Sequence, residues 1–527
     1  MEPLTNNKLT TSKLFILTGL ILLAIGMLFG LTGSLQYLAP NFLKQYLSFE
    51  KVRPLHVSSV VFWIIFAAIS SVLTYLKQYT GKNIFSPLLL KVQFAIFIIS
   101  VLAILMSYCL GIFGGREYWE FHPLLALPIV IGWILFIFNF IKSVGSLNNL
   151  PVYVWMWLTG LFFFLFTFME SYLWIFPYFR NNIVNDMTLQ WKSYGSMVGS
   201  WNMLIYGSSI FLMEKISGSK KYSHAPIAFI LYFTGLFNLM FNWGHHIYTL
   251  PTHSFVKYIS YAVSMTELFI LGRIIWQWKS SVSEARKLYH HTAYRFLMAA
   301  DIWIFLTLIL AIAMSIPAIN VYTHGTHITV AHTMGATIGI NSFLLLAIAF
   351  DILKDSCVPM TKSIKWVNRG FYTTNVSLLI FWISLIIAGV LKARWQMGDG
   401  KMAFGTMMLQ LRPYFIVFFV SGMSLITGFY FILFPLIKNQ VVCQFKKKFL
   451  KQAVAEDINS GTFAIDEYQL TQYRKCYHFL KYFTSKWLML YMAIRGHVKT
   501  YMAILMNFMY PYALMKRIQI IFLHRAF

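Results

Sequence analysis

With 527 residues, 58% of them hydrophobic and only 11% charged, the chain has too few charges to cover a soluble surface; a soluble protein carries about 25%. The net charge of +26 is spread over short loops and the C-terminal stretch. That is the pattern of topological charge bias and attraction to anionic lipid, not of a nucleic-acid footprint.

The first apolar run follows MEPLTNNKLTTSK and continues past the length of a signal sequence, so it reads as a first span. A bilayer core of about 30 Å takes about 20 residues of apolar helix. Twelve such spans are expected, at 14–38, 57–77, 87–113, 123–144, 152–177, 193–217, 225–250, 255–277, 295–317, 327–354, 366–391 and 414–437. The expected fold is therefore an all-α integral membrane protein of twelve transmembrane helices. Residues 1–437 form its membrane domain. Residues 438–527 form a basic tail with amphipathic pieces such as KYFTSKWLMLYMAI, expected at the interface or in the cytoplasm. Alternate loops hold Lys77 and Lys82, Lys142, Lys215 with Lys220 and Lys221, Lys279 with Arg286 and Lys287, and Lys354 with Lys362, Lys365 and Arg369. The loop at 318–326 has no Lys or Arg, so both termini are expected on the cytoplasmic side.

Ionisable and ligating residues inside spans are functional candidates by default. His56 opens span two in RPLHVSSVVFW, and Tyr194 opens span six in KSYGSMVGSWN. His245 and His246 end span seven in NWGHHIYTLP, and His332 with Met334 opens span ten in THITVAHTMGAT. Spans two, six and ten start on the outer side and span seven ends there, so all these groups fall in one layer. Histidines converging on one plane point to metal or haem ligation. No CxxCH is present for covalent haem attachment. Residues at i and i+2 lie about 200° apart around a helix, so His332 and Met334 serve opposite faces and two different cofactors. His56 is the natural opposite ligand for one of them. The adjacent pair His245–His246 needs a local distortion or a helix end to act together. His122, His253, His324 and His327 read as surface histidines. Glu170, within span five, reads either as a proton-path residue or as one half of a neighbouring pair.

At these residues the chain resembles subunit I of the haem–copper oxidases. It is most similar to the large subunit of bacterial nitric oxide reductase, then to the cbb-type cytochrome c oxidases. The matching segments are RPLH, GREYWE at 115–120, GSWNMLIYG at 199–207, GHH at 244–246, SMTEL at 264–268, YTHGT and AHTMG. The resemblance spans roughly residues 14–437. It implies a twelve-helix subunit I bundle in a bacterial inner membrane holding two b-type haems, one low-spin and one high-spin, beside a non-haem iron or copper. It implies His56 and the position of Met334 as low-spin haem ligands, His332 as the high-spin haem ligand, and His245 with His246 as metal ligands. Glu267 in SMTEL matches an intramembrane glutamate of the reductases and is expected near the metal cavity.

Four positions depart from the family pattern. Tyr194 stands where a third metal histidine belongs, or Gly195 does if the register shifts by one. Val198 and Asn202 stand where the reductases carry glutamates, and Met334 where they carry a histidine. Methionine is a competent axial ligand and raises the potential relative to bis-histidine. Tyr194 either completes the metal site as phenolate or donates a hydrogen bond as phenol. In GREYWEF, Arg116, Glu117 and Glu120 read, by resemblance, as a site of ion binding or proton uptake, or as an interfacial charged loop anchored by Tyr118 and Trp119.

The resemblance implies a terminal reductase subunit that reduces NO or O₂. Its electrons come from a donor subunit, a cytochrome or quinol. The alternative is a haem protein without turnover, serving electron transfer, gas sensing or complex assembly. Loss of the span-six histidine and both glutamates favours that alternative.

Overall fold

A computed structural model describes residues 10–220, 223–266, 279, 282–353, 363–398 and 402–460. The chain divides into two units, Met1–Gln444 and Phe445–Phe527. The second contributes only helical backbone as far as Ser460 to the described residues.

The described residues are helical, apart from loops and one isolated bridge between Arg116 and Trp119. In chain order the long elements are α1 (Thr11–Gln36), α2 (Phe49–Thr80), α3 (Pro87–Leu110), α4 (Ala126–Val144) and α5 (Val152–Glu170). They continue as α6 (Ile183–Ser217), α7 (Pro226–Phe241), α8 (Ser254–Ser264) and α9 (His291–Ser315). The last three are α10 (His327–Leu353), α11 (Ile364–Met397) and α12 (Phe404–Ser460). Among the described residues ten helices are long and apolar enough to cross a membrane, so this is a multi-pass membrane protein. Expected span six is present as α6, but its many Ser, Gly, Asn and Tyr residues leave it too polar to join that set. Expected span eight is described only through α8 to Thr266, its remainder lying outside the described residues.

Helix starts follow local chemistry. Thr10 caps α1 and Ser86 caps α3, each accepting a backbone N–H through its side-chain oxygen. Asn182 caps α6 by accepting from Val184 and Asn185 N–H at 3.0 and 3.2 Å. As a result α6 begins well before the expected residue 193, and α2 likewise begins at Phe49 rather than 57. Pro54 lies inside α2, where it removes one backbone donor but leaves the helix running.

Buried polar contacts fix the register of the central helices. Ser71 bonds Ser208 at 3.0 Å and Lys215 bonds Gln78 at 3.1 Å, so α2 and α6 run parallel at a constant offset. Trp63 Nε1 donates to Ser342 Oγ at 3.1 Å and Tyr75 OH to Asp351 at 3.2 Å, so α2 and α10 also run parallel. Ser196 donates to the Leu239 carbonyl at 2.7 Å, and Gly195 packs on Trp243, which makes α7 antiparallel to α6. Gly335 meets Thr307 and Gly339 meets Trp303, so α9 is antiparallel to α10.

Candidate functional site

Register and helix rise place the candidate ligands. About two turns before Trp63 comes His56, and about two turns before Ser342 comes Met334; the Trp63–Ser342 bond therefore sets them level. The Ser71–Ser208 offset, continued about four turns, brings Ser193 and Tyr194 to the same height. The antiparallel pairing of α6 with α7 then puts His245 and His246 beside residues 191–193. The single layer expected from the apolar runs is present in the fold.

His56 is held in one tautomer. Its Nδ1 lies 2.8 Å from the Gly26 carbonyl, and a carbonyl only accepts, so Nδ1 carries the proton and Nε2 keeps its lone pair. A Cβ at Gly30 would stand 2.7 Å from two ring atoms of His56, so only glycine leaves room for the imidazole. Met334, half-buried, packs against the core at the same height on α10. A neutral imidazole and a thioether at one depth fit a Met/His pair of haem ligands. On His332 the Nδ1 atom is buried without a side-chain hydrogen-bond partner. A buried imidazole at this depth fits a second haem.

His245 and His246 sit on a 3₁₀ turn, Asn242–Ile247, that follows α7. This is the helix-end distortion that an adjacent pair requires. His245 Nδ1 donates to Asn242 Oδ1 at 2.9 Å, which leaves Nε2 as the acceptor. Ser264 also donates to Asn242 Oδ1, Ser260 donates to the Asn242 carbonyl at 2.9 Å, and Asn320 donates to the His245 carbonyl at 3.0 Å. The turn is thus pinned from two sides. The His246 ring stacks on Trp191 with centroids 4.5 Å apart and planes at 9°. It lies 4.2 Å from the His245 ring and 6.3 Å from His324. His332 and His324 are near enough to His245 to interact electrostatically.

Tyr194 is placed differently from expectation. Its ring packs edge-on against Tyr118 at 5.7 Å, so it turns toward the 115–120 loop. Trp191, one turn earlier on α6, is the residue that covers the histidine pair. Gly195 offers no ligand either, since a Cβ there would stand 2.7 Å from that of Trp243. Val198 and Asn202 bring no carboxylate, and Asn202 Oδ1 is buried without a partner. Among the described residues no three His, Cys, Asp or Glu side chains are grouped to hold a metal ion. His245 and His246 alone do not fit a second metal, whose usual ligand count is four or more. Glu267 lies outside the described residues.

The 115–120 loop is a packed structure. Arg53 pairs with Glu117 and with Glu120, and Arg116 pairs with Asp186 while lying over Trp174. Trp119 is buried, which corrects its reading as a membrane anchor: it packs edge-on against Phe62 and Phe168. Burial raises the Glu120 carboxyl above its ordinary value, against the lowering effect of its hydrogen bonds and of Arg53. Glu170 pairs with Lys192, the neighbouring pair that one of its two readings expected. His324 and His327 are half-buried rather than surface residues, His327 packing on Phe415 at 5.1 Å. Sequence reasoning missed Trp191, because α6 was started too late. It missed Asn242 too, although an asparagine three residues before a histidine within one turn is a readable signal.

Comparisons with known proteins agree with this geometry. The family model "Cytochrome C and Quinol oxidase polypeptide I" matches residues 10–424. A nitric oxide reductase subunit of Stutzerimonas stutzeri is 22% identical over 452 residues, covering 79% of this chain and 92% of its own. A cytochrome c oxidase subunit 1 homolog of Agrobacterium tumefaciens (strain T37) is 21% identical, covering 77% of this chain and 78% of its own. A cbb3-type cytochrome c oxidase subunit of Stutzerimonas stutzeri is 21% identical, covering 74% and 85%. A solved heme-copper terminal oxidase dimer shares the fold with a TM-score of 0.61 at 16% identity, over 81% of this chain and 84% of that one. With residues 10–424 matched, the chain belongs to the cytochrome c and quinol oxidase polypeptide I family, the subunit I family of the haem–copper oxidases.

Proposed function

We propose that the chain is the haem-carrying membrane subunit of a bacterial terminal reductase acting on NO or O₂. Haem, when bound, supplies the electron transfer and the gas-binding iron. His56 and Met334 hold the low-spin site, and His332 holds the high-spin site. His245, with its proton on Nδ1, presents Nε2 as an acceptor toward the shared layer, and the Trp191–His246 stack walls that layer off. Glu267, outside the described residues, is read as a neighbour of that layer on the family resemblance. Two further spans, α6 and the 255–277 segment, complete a twelve-helix bundle in the inner membrane, with both termini cytoplasmic. Electrons arrive from a donor subunit, a cytochrome or quinol.

The observation that carries this reading is the His56 Nδ1 bond to the Gly26 carbonyl, which prepares Nε2 for a metal at the depth of His332 and Met334. A second reading, a haem protein without turnover, is favoured by the missing α6 ligand beside His245 and His246. Haem and metal analysis of purified protein, together with NO and O₂ consumption, separates them. Two haems with gas turnover support the reductase. Two haems without turnover support the second reading, and protein without haem overturns both.

A further inference from the structure

We infer that Trp191 is the positioning residue of the histidine pair: its indole fixes the plane of His246, as the Asn242 side chain fixes His245, and so holds one arrangement of imidazoles facing the His332 haem. The inference rests on the reading that the pair shares a cavity with that haem.

The two histidines are held by different devices. His245 Nδ1 donates to Asn242 Oδ1 at 2.9 Å, which fixes both its tautomer and its ring. His246 is held by rings. The Trp191 indole lies flat against it, with centroids 4.5 Å apart and planes at 9°, and the His245 ring lies at 4.2 Å and 41°. A histidine ring turns about a broad, roughly two-fold χ2 torsion, so its own rotamer preference does not choose its plane. A flat aromatic neighbour does, because turning the imidazole would drive its edge into the indole and lose the stack.

Trp191 is itself built in. The Asn182 cap starts α6 early enough to carry it. Gly195 lies one turn later on the same side of α6, where a Cβ would stand 2.7 Å from the Trp243 Cβ. Trp243 and His246 share one 3₁₀ turn, and α6 and α7 are antiparallel, so close approach at 195 and 243 brings 191 against 246. The glycine supplies the approach that the indole uses. The indole also meets His324 edge-on at 6.0 Å. The segment carrying His324 is tied to the same turn, since Asn320 donates to the His245 carbonyl at 3.0 Å. His332 is near enough to both members of the pair to interact electrostatically. Trp191 thus acts through His246, and its loss should change the cavity rather than the haem ligation.

Carbon monoxide on the ferrous high-spin haem is the probe, and the infrared C–O stretch reads the polar groups that face it. The wild type is expected to show one narrow band. Trp191→Leu keeps bulk but cannot stack, and should split or broaden that band. Trp191→Phe can stack and should restore it. Gly195→Ala should act like Trp191→Leu by pushing α6 off the turn. A purely structural role would lower stability without separating the leucine and phenylalanine bands. Several bands in the wild type overturn the positioning role, and that measurement stands even where a variant fails to fold. So does a wild-type band in Trp191→Leu when His246→Ala moves it. A band unmoved in His246→Ala overturns instead the reading that the pair shares the cavity of the haem.

Discussion

His56 is held by two residues of α1: Gly26 accepts its Nδ1 proton, and Gly30 leaves space for its ring. Gly30→Ala places a methyl 2.7 Å from the imidazole, and neither helix can withdraw cheaply from so close a seam. The expected result is loss of most of the low-spin haem signal with the high-spin signal kept. Gly33→Ala is the control, since its Cβ would come no nearer than 3.3 Å to Val52; equal low-spin signals in the two variants would count against the seam. Met334→His should keep a low-spin spectrum and lower its potential, because bis-histidine haem lies below Met/His haem. An unchanged potential removes Met334 as a ligand. Tyr194→Phe should leave the non-haem metal content of the purified protein unaltered, because the Tyr194 ring packs on Tyr118. A fall in that content would return Tyr194 to the metal site. At this scale residue type and spacing marked the candidate ligands His56, His245, His246, His332 and Met334. It could not show which way Tyr194 turns: on a helix that is decided by neighbours such as Tyr118 and Trp191, which come from elsewhere in the chain.

Helix register carries the site more than any single side chain does. The shared depth of the ligands was legible because span ends and Lys/Arg asymmetry fix which end of each apolar run is outermost, and helix rise does the rest. The true start of α6 was not legible, since Asn182 caps a polar first stretch that hydropathy alone reads as loop. That stretch contains Trp191, so the residue that stacks on His246 was overlooked. His324 was read as surface for a similar reason: polar loops look exposed until aromatic rings from another helix close over them. At the other end of α2, α6 and α10, Lys215 pairs at 2.7 Å with Asp351, whose side chain is fully buried. Lys215→Met removes the cation from a buried carboxylate that Tyr75 still hydrogen-bonds, and should cost on the order of 3 kcal/mol. Adding Asp351→Asn should recover much of the loss. Thermal unfolding in detergent of the single and double variants measures the coupling, and strictly additive effects would show that the pair does not lock the three helices.

The molecule, over its described residues, is an all-helical multi-pass membrane protein of the haem–copper oxidase subunit I family. The proposed haem positions bring together His56 with Met334 and His332 at one depth. The His245–His246 pair sits on a pinned turn and gains no third ligand from α6 among the described residues. The account therefore separates haem binding, which the geometry supports, from gas reduction, which depends on what the histidine pair can do alone. Its central claim is that one chain holds two haems on His56 with Met334 and on His332. The most direct test is the haem-to-protein ratio of the purified full chain, measured as the pyridine haemochrome, in the wild type and in His56→Ala and His332→Ala. Two haems per chain in the wild type, with the low-spin one lost in the first variant and the high-spin one in the second, are predicted. A ratio near zero, or two haems retained in both variants, would contradict it.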